Sequence, residues 1–226
     1  YAVAELTLGM MITLNRKILG YWNNVQRGNW DRGAFSSLSL NNKIVGIVGG
    51  GNIGRRVAAL VQALGAQVLY YDAFRMSPEQ EKALRMTYTP LEELLERADL
   101  VSLHVPLLDS TRHIIDKEQL ARMKPTACLV NTARGGLVDE EALLQALQEG
   151  RLAGAGLDCV ESENAPVTRE LLTAPNVLVT PHIGGSTADL ADAMIPAVAD
   201  VIERIAAGRE IKNVVNQEFL LPYGQG

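Results

Sequence analysis

Apolar positions along this chain follow two rhythms that alternate. From residue 43 onward come short apolar runs rich in β-branched residues: KIVGIV (43–48), QVLYYD (67–72), DLVSLHV (99–105), ACLVNT (127–132), LAGAGLD (152–158) and NVLVT (176–180). Between them lie stretches of helical period: NIGRRVAALVQALG (52–65), PLEELLERA (90–98), DKEQLARMK (116–124) and EEALLQALQEG (140–150), with a last one over about 187–207 that contains Pro196. Runs apolar on both faces and separated by helices predict a parallel sheet covered on both sides. The expected fold class is α/β, a doubly wound parallel sheet of Rossmann type.

The first 42 residues break this rhythm. Up to about Val25 the chain predicts a helix apolar on nearly every face, and such a helix must be buried all round. Either a further part of the protein or a second subunit is expected to cover it. Residues 21–42, YWNNVQRGNWDRGAFSSLSLNN, show little periodicity and read as an extended connector. The expected organisation is a buried helix and connector over 1–42, the sheet domain over 43–208, and a tail over 209–226.

Composition narrows the class. With 226 residues, 47% hydrophobic and 21% charged, the chain has ample material for a globular core. The 26 acidic against 21 basic residues are spread without blocks, which argues against nucleic acid or an anionic membrane surface as partner. Cys128 and Cys159 both fall at predicted strand positions, and two free thiols suit a reduced, cytoplasmic protein. No stretch reads as a membrane span or a signal peptide.

Directly after KIVGIV comes Gly49-Gly50-Gly51-Asn52-Ile53-Gly54, which satisfies G-x-G-x-x-G. Glycines there allow a tight turn and close approach of a pyrophosphate, which then sits on unpaired amides at a helix N-terminus. The strand before, the amphipathic helix after, and Asp72 at the end of the next strand, eighteen residues past Gly54, complete the dinucleotide pattern. A carboxylate at Asp72 accepts ribose hydroxyls of NAD and repels the 2′-phosphate of NADP. Arg75, close behind, would soften that preference.

Three later strand ends carry Arg134 (NTARGGLVDE), Asp158 with Glu161 and Glu163 (GLDCVESEN), and His182 (TPHIGGST). In open parallel sheets ligands bind beyond the carboxyl ends of the strands, so these residues share an edge with the glycine loop. Taken singly, each also fits an ordinary surface or turn position. Together, an arginine, a carboxylate and a histidine supply what hydride transfer at a 2-hydroxy acid requires. The cation fixes the substrate carboxylate, the imidazole moves the hydroxyl proton, and the carboxylate orients the imidazole and stabilises its protonated form. No metal is called for.

The run GIVGGGNIG, the Asp72 closing VLYYD, LVSLHVPLLDSTRHII, LVNTARGGLVDEEAL, LAGAGLD and TPHIGGST together resemble the NAD-dependent D-2-hydroxyacid dehydrogenase family, to which phosphoglycerate dehydrogenases belong. The resemblance runs in order from VAEL near the start to NVVN near residue 216. It implies Arg134 as substrate anchor, Glu163 as catalytic carboxylate and His182 as acid/base. It also implies Gly49, Gly51, Asn52, Ile53 and Gly54 around the pyrophosphate and Asp72 at the ribose. Val105 and Pro106 would lie beneath the cofactor, with Thr132, Ala133, Arg134, Asp158, His182, Gly184 and Gly185 on the nicotinamide side. His104 and His113 fall outside the motif and are expected to be structural. Glu161 has the wrong spacing from Asp158 to replace Glu163.

Several positions depart from the family pattern. Asn164 replaces the usual proline after the glutamate, Gly50 replaces a bulkier loop residue, and Pro196 is expected to kink the last helix. A substrate domain of about one hundred residues, which the family carries before the segment like YAVAEL, is missing from the sequence. The chain alone is therefore expected to bind NAD but turn over slowly. A homodimer through the first 42 residues is also expected. Formate dehydrogenases resemble much of the motif set but carry glutamine at the position of Glu163. An NAD-sensing, corepressor-like binding protein on the same fold is the alternative.

Overall fold

A computed structural model of the chain describes residues 1–162, 165–174, 176–211 and 214. It falls into two compact units, residues 1–184 and 185–226.

In the first unit seven parallel strands form one sheet: β1 (Ile44–Val48), β2 (Gln67–Tyr71), β3 (Met86–Tyr88), β4 (Leu100–Leu103), β5 (Cys128–Asn131), β6 (Gly154–Leu157) and β7 (Val177–Val179). Their order is β3-β2-β1-β4-β5-β6-β7. Strand order therefore reverses between β1 and β4, the place where open α/β sheets leave a crevice for ligands. The expected doubly wound sheet is present, with α1 (Ala2–Asn15) and α3 (Asn52–Ala63) on one face and α5 (Leu91–Arg97), α6 (Lys117–Arg122) and α7 (Glu140–Gln148) on the other. Each face closes its own apolar layer. Met10, Met11, Val45, Ile47, Val57, Val61 and Val130 fill one, and Leu94, Leu95, Val101, Leu103, Ile115, Leu129 and Leu143 fill the other.

The opening segment differs from expectation. The helix stops at Asn15, Lys17 adopts a left-handed φ of 53°, and α2 (Ile18–Gln26) starts in a new direction. Only α1 is core. It lies close on β6 because that strand is GAGL, and a Cβ at Gly156 would stand 3.3 Å from Leu14 and Met10. α2 buries no residue and exposes Ile18, Leu19, Trp22 and Val25. The expected connector is thus helical to residue 26 and irregular from 27 to 42.

Three short elements escape the sequence pattern: α4 (Pro78–Leu84), β3 and α8 (Pro166–Thr173). Ser77 and Gln80 nonetheless form a capping box that starts α4. Cys128 opens β5 as expected, whereas Cys159 sits two residues beyond β6, where burial pushes its thiol up to about 11. Among the described residues no helix is long and apolar enough to cross a membrane. The second unit contains α9 (Ala188–Ala206), which runs on through Pro196. Of the expected tail 209–226, all but residues 209–211 and 214 lie outside the described residues.

Candidate active site

The glycine loop is fixed from below by its neighbours. The Gly49 amide donates to the Tyr71 carbonyl at 2.8 Å, the Gly50 amide to Asp72 Oδ2 at 2.7 Å, and Arg55 Nε to the Gly50 carbonyl at 2.7 Å. Gly49 has φ +107°, and a Cβ there would stand 2.6 Å from the His104 carbonyl, so only glycine fits. A Cβ on Gly54 would overlap the Gly49 carbonyl oxygen.

Gly51 is the reverse case: no atom lies within 4 Å of where its Cβ would stand. It is the N-cap of α3 and offers no side-chain cap, so the first-turn amides at Asn52 and Ile53 face outward with positive dipole character. That open cradle fits a pyrophosphate. Asp72 also accepts the Phe74 amide on Oδ1 at 2.9 Å, which leaves each carboxylate oxygen a lone pair for a ribose hydroxyl. These residues fit a dinucleotide.

Beyond β4, the His104 amide donates to the Val48 carbonyl at 2.7 Å, and Nε2 lies 3.0 Å from Ser102 Oγ. Burial pushes the His104 imidazole down to about 4, so it is neutral at physiological pH. Val105 and Pro106 follow it into a loop closed by Thr111, whose hydroxyl donates to the Pro106 carbonyl at 2.7 Å.

At the end of β5 the buried Asn131 holds the next three residues. Its Nδ2 donates to the Arg134 carbonyl at 2.8 Å, and its Oδ1 accepts the Ala133 amide at 3.1 Å. Thr132 Oγ1 lies 2.8 Å from Thr7 Oγ1. Because Thr7 spends its own proton on the Val3 carbonyl, Thr132 is the donor of that pair and keeps its lone pairs free. Arg134 is exposed, its guanidinium donating to the Ala133 carbonyl at 2.6 Å.

At the end of β6 Asp158, 1% exposed, organises the loop after β7. Its Oδ1 accepts the Thr180 hydroxyl at 2.6 Å and the Ile183 amide at 2.9 Å, while Oδ2 accepts the Gly184 amide at 2.8 Å. The Asp158 carbonyl takes the His182 amide at 2.8 Å. These bonds hold His182 at a left-handed φ of 54°, uncommon for a residue with a side chain. The imidazole is exposed, and Asp158, Cys159, Val160, Leu172, Pro181 and His182 border a cavity of about 300 Å³.

Glu161 is committed elsewhere: its carboxylate pairs with Arg112 at 2.9 Å and with His113 at 3.3 Å. Its amide donates to the buried Glu140 at 2.6 Å, and the other oxygen of Glu140 accepts Thr168 Oγ1 at 3.0 Å. Glu163 and Asn164 lie outside the described residues. Gly185 is the first residue of the second unit.

Arg134, Asp158 and His182 thus stand at the carboxyl ends of three neighbouring strands, on the edge that carries the glycine loop and Asp72. Sequence reasoning missed Asn131, Thr7, Thr180 and Glu140. The only signal they give is a polar type at a strand end or on a core-facing position, which sequence alone cannot tell from solvent exposure.

Fold and loop together define a dinucleotide-binding α/β domain. Residues 8–184 match the family model "D-isomer specific 2-hydroxyacid dehydrogenase, NAD binding domain", and the chain belongs to that family. Its cofactor is NAD, as expected. Among its relatives, it is 42% identical to the D-3-phosphoglycerate dehydrogenase of Methanocaldococcus jannaschii over 95% of this chain and 41% of that protein. With the glyoxylate reductase of Korarchaeum cryptofilum the identity is 40%, covering 96% of this chain and 66% of that one. The chain therefore spans between two fifths and two thirds of the length of these relatives. Among solved structures, D-lactate dehydrogenase with NAD+ from Lactobacillus jensenii superposes with a TM-score of 0.86 at 36% identity, covering 95% of this chain and 68% of that one.

Proposed function

We propose that this chain is the cofactor-holding part of an oxidoreductase that interconverts a small D-2-hydroxy acid and its 2-keto acid. One observation supports this above the rest: Arg134 and His182 emerge from the same sheet edge on either side of Asp158. Three strands spaced about 4.8 Å apart separate the two loops by about 10 Å, room for a short substrate beside a nicotinamide ring. Bound NAD(H) accepts or supplies the hydride.

The protein's own groups handle charge and protons. Arg134 anchors the substrate carboxylate and polarises the carbonyl. In reduction, protonated His182 gives its proton to the carbonyl oxygen; in oxidation, the neutral imidazole takes the hydroxyl proton back. Glu163 is the carboxylate partner of that imidazole. Val105 and Pro106 support one side of the cofactor, and Thr132, Ala133 and Gly184 line the nicotinamide side. Asp158 acts by setting the loop on which His182 stands.

The test is His182→Ala in the full-length protein, assayed on a panel of 2-keto acids with NADH. Activity is expected to fall about 10²–10⁴-fold while the NADH Kd stays within about twofold. An unchanged rate removes the proposal in favour of the corepressor-like binder. This chain by itself is expected to bind NADH with little turnover, since it spans only part of the length of its relatives.

The protein further acts as a homodimer on this proposal. α2 presents Ile18, Trp22 and Val25 to a groove of about 710 Å³ shared with Ile12 and Trp30, an apolar surface of the kind that marks interfaces. Trp22→Glu should shift the sedimentation coefficient from dimer to monomer. Its two buried free thiols suit the cytoplasm.

A further inference from the structure

The loop after β2 contains the ingredient that would undo its own preference for NAD. Arg75 lies three residues past Asp72, a span of at most about 10 Å of chain. In doubly wound folds an arginine near this position accommodates the 2′-phosphate of NADP, whereas the carboxylate takes the 2′-hydroxyl of NAD. An unrestrained Arg75 would therefore reach toward the ribose site.

Arg75 is instead engaged by Glu81 of α4 and the ring of Tyr88. Its Nε donates to Glu81 Oε1 at 2.8 Å and its Nη2 to Glu81 Oε2 at 3.1 Å, a two-point fork across the start of α4. Its Cζ lies 4.9 Å above the Tyr88 ring. The receiving carboxylate is itself held: the hydroxyl of Tyr70, whose ring is fully buried, donates to Glu81 Oε1 at 2.8 Å and accepts the Met76 amide at 2.9 Å. Tyr70 and Met76 also back the glycine loop, 3.3 and 3.1 Å from where a Cβ of Gly50 would stand. Glu81 is the more buried partner, its side chain 14% exposed against 58% for Arg75. The Arg75 fork and the Tyr70 hydroxyl hold the Glu81 carboxyl below the usual carboxylate range, so it is ionised at neutral pH.

We propose that Glu81 is a positioning residue for cofactor choice: by holding Arg75 against α4, it leaves Asp72 alone to face the 2′ position and keeps the site selective for NAD over NADP. The proposal rests on the dinucleotide site at the glycine loop and Asp72, and not on the hydride chemistry.

Calorimetric titration of this chain with NADH and NADPH tests it in wild type, Glu81→Gln, Arg75→Met and the double variant. Glutamine keeps an oxygen for the Tyr70 hydroxyl but releases the guanidinium. Glu81→Gln is expected to tighten NADPH about tenfold, the scale of one charge-assisted contact, with NADH within about twofold. The double variant should return to the wild-type ratio, and Arg75→Met alone should leave it unmoved. A merely structural role for Glu81 would weaken both cofactors together. An unmoved ratio with intact NADH binding, or a gain that survives loss of Arg75, overturns the proposal. Absence of NADH binding in wild type would sink the dinucleotide site itself and the proposal with it. If Glu81→Gln melts early, Glu81→Ala repeats the comparison under the same criteria.

Discussion

At the β1–β2 end of the sheet edge, the candidate site is made of backbone. Gly49 is shut in by the His104 carbonyl, Gly51 opens onto clear space, and Asp72 is tied to the loop it serves. At the β5–β7 end, the proposed reactive groups Arg134 and His182 are exposed side chains, and the buried polar residues Asn131 and Asp158 hold the backbone beneath them. A phosphate needs only amides at a fixed place, which a rigid turn supplies. A group that must hand over a proton has to stay accessible, so order there is transmitted through the loop that bears it. Damage to the first end should therefore be steric, and damage to the second a matter of unpaired polar groups.

The largest effect should come from the tightest glycine. Gly49→Val places a side chain against the His104 carbonyl in a left-handed conformation and is expected to cost more than about 3 kcal/mol, read as a lower urea midpoint together with loss of NADH binding. Asp158→Ala is next. It leaves the Ile183 and Gly184 amides and the Thr180 hydroxyl without their acceptor, for an expected loss of about 2–4 kcal/mol. NADH binding should survive better than in Gly49→Val, and equal damage to binding would erase the contrast between the two ends.

Gly51→Val sharpens it further. The space around Gly51 is empty of protein, so unfolding should shift by less than about 1 kcal/mol, while NADH affinity falls about a hundredfold (~2.7 kcal/mol) as the side chain fills the pyrophosphate cradle. An affinity near wild type would place the phosphates elsewhere.

A further effect is one of pH. His104 titrates at about 4 in the folded chain against about 6.5 unfolded, so the unfolded state binds the extra proton between those values. Stability should rise with pH across that window and level off above it, by at most about 2–3 kcal/mol. His104→Gln should flatten the rise in a series of urea melts at pH 4.5 to 7.5.

Much of this architecture was legible beforehand. Strands such as ACLVNT, buried on both faces, and helices such as NIGRRVAALVQALG announce themselves by period, and the glycine loop with Asp72 points to a candidate ligand. Short elements were not legible: PEQEKAL makes two turns with no apolar stripe, and MTY is three residues long. The opening segment misled because uniform apolarity does not say where a helix ends. Lys17 breaks it with a backbone angle that the side-chain pattern does not record.

The sequence by itself determined the doubly wound sheet, the candidate place of a dinucleotide and the candidate residues at the strand ends, because these depend on local periodicity and on motifs within a few residues of one another. Only the tertiary structure decided that Asp158 grips the loop of His182, that Thr7 of the first helix reaches Thr132, and that Arg75 pairs with Glu81. Each of these pairs different segments or depends on which way a side chain turns, and hydrogen bonds between such groups are fixed by packing, which leaves no period in the chain.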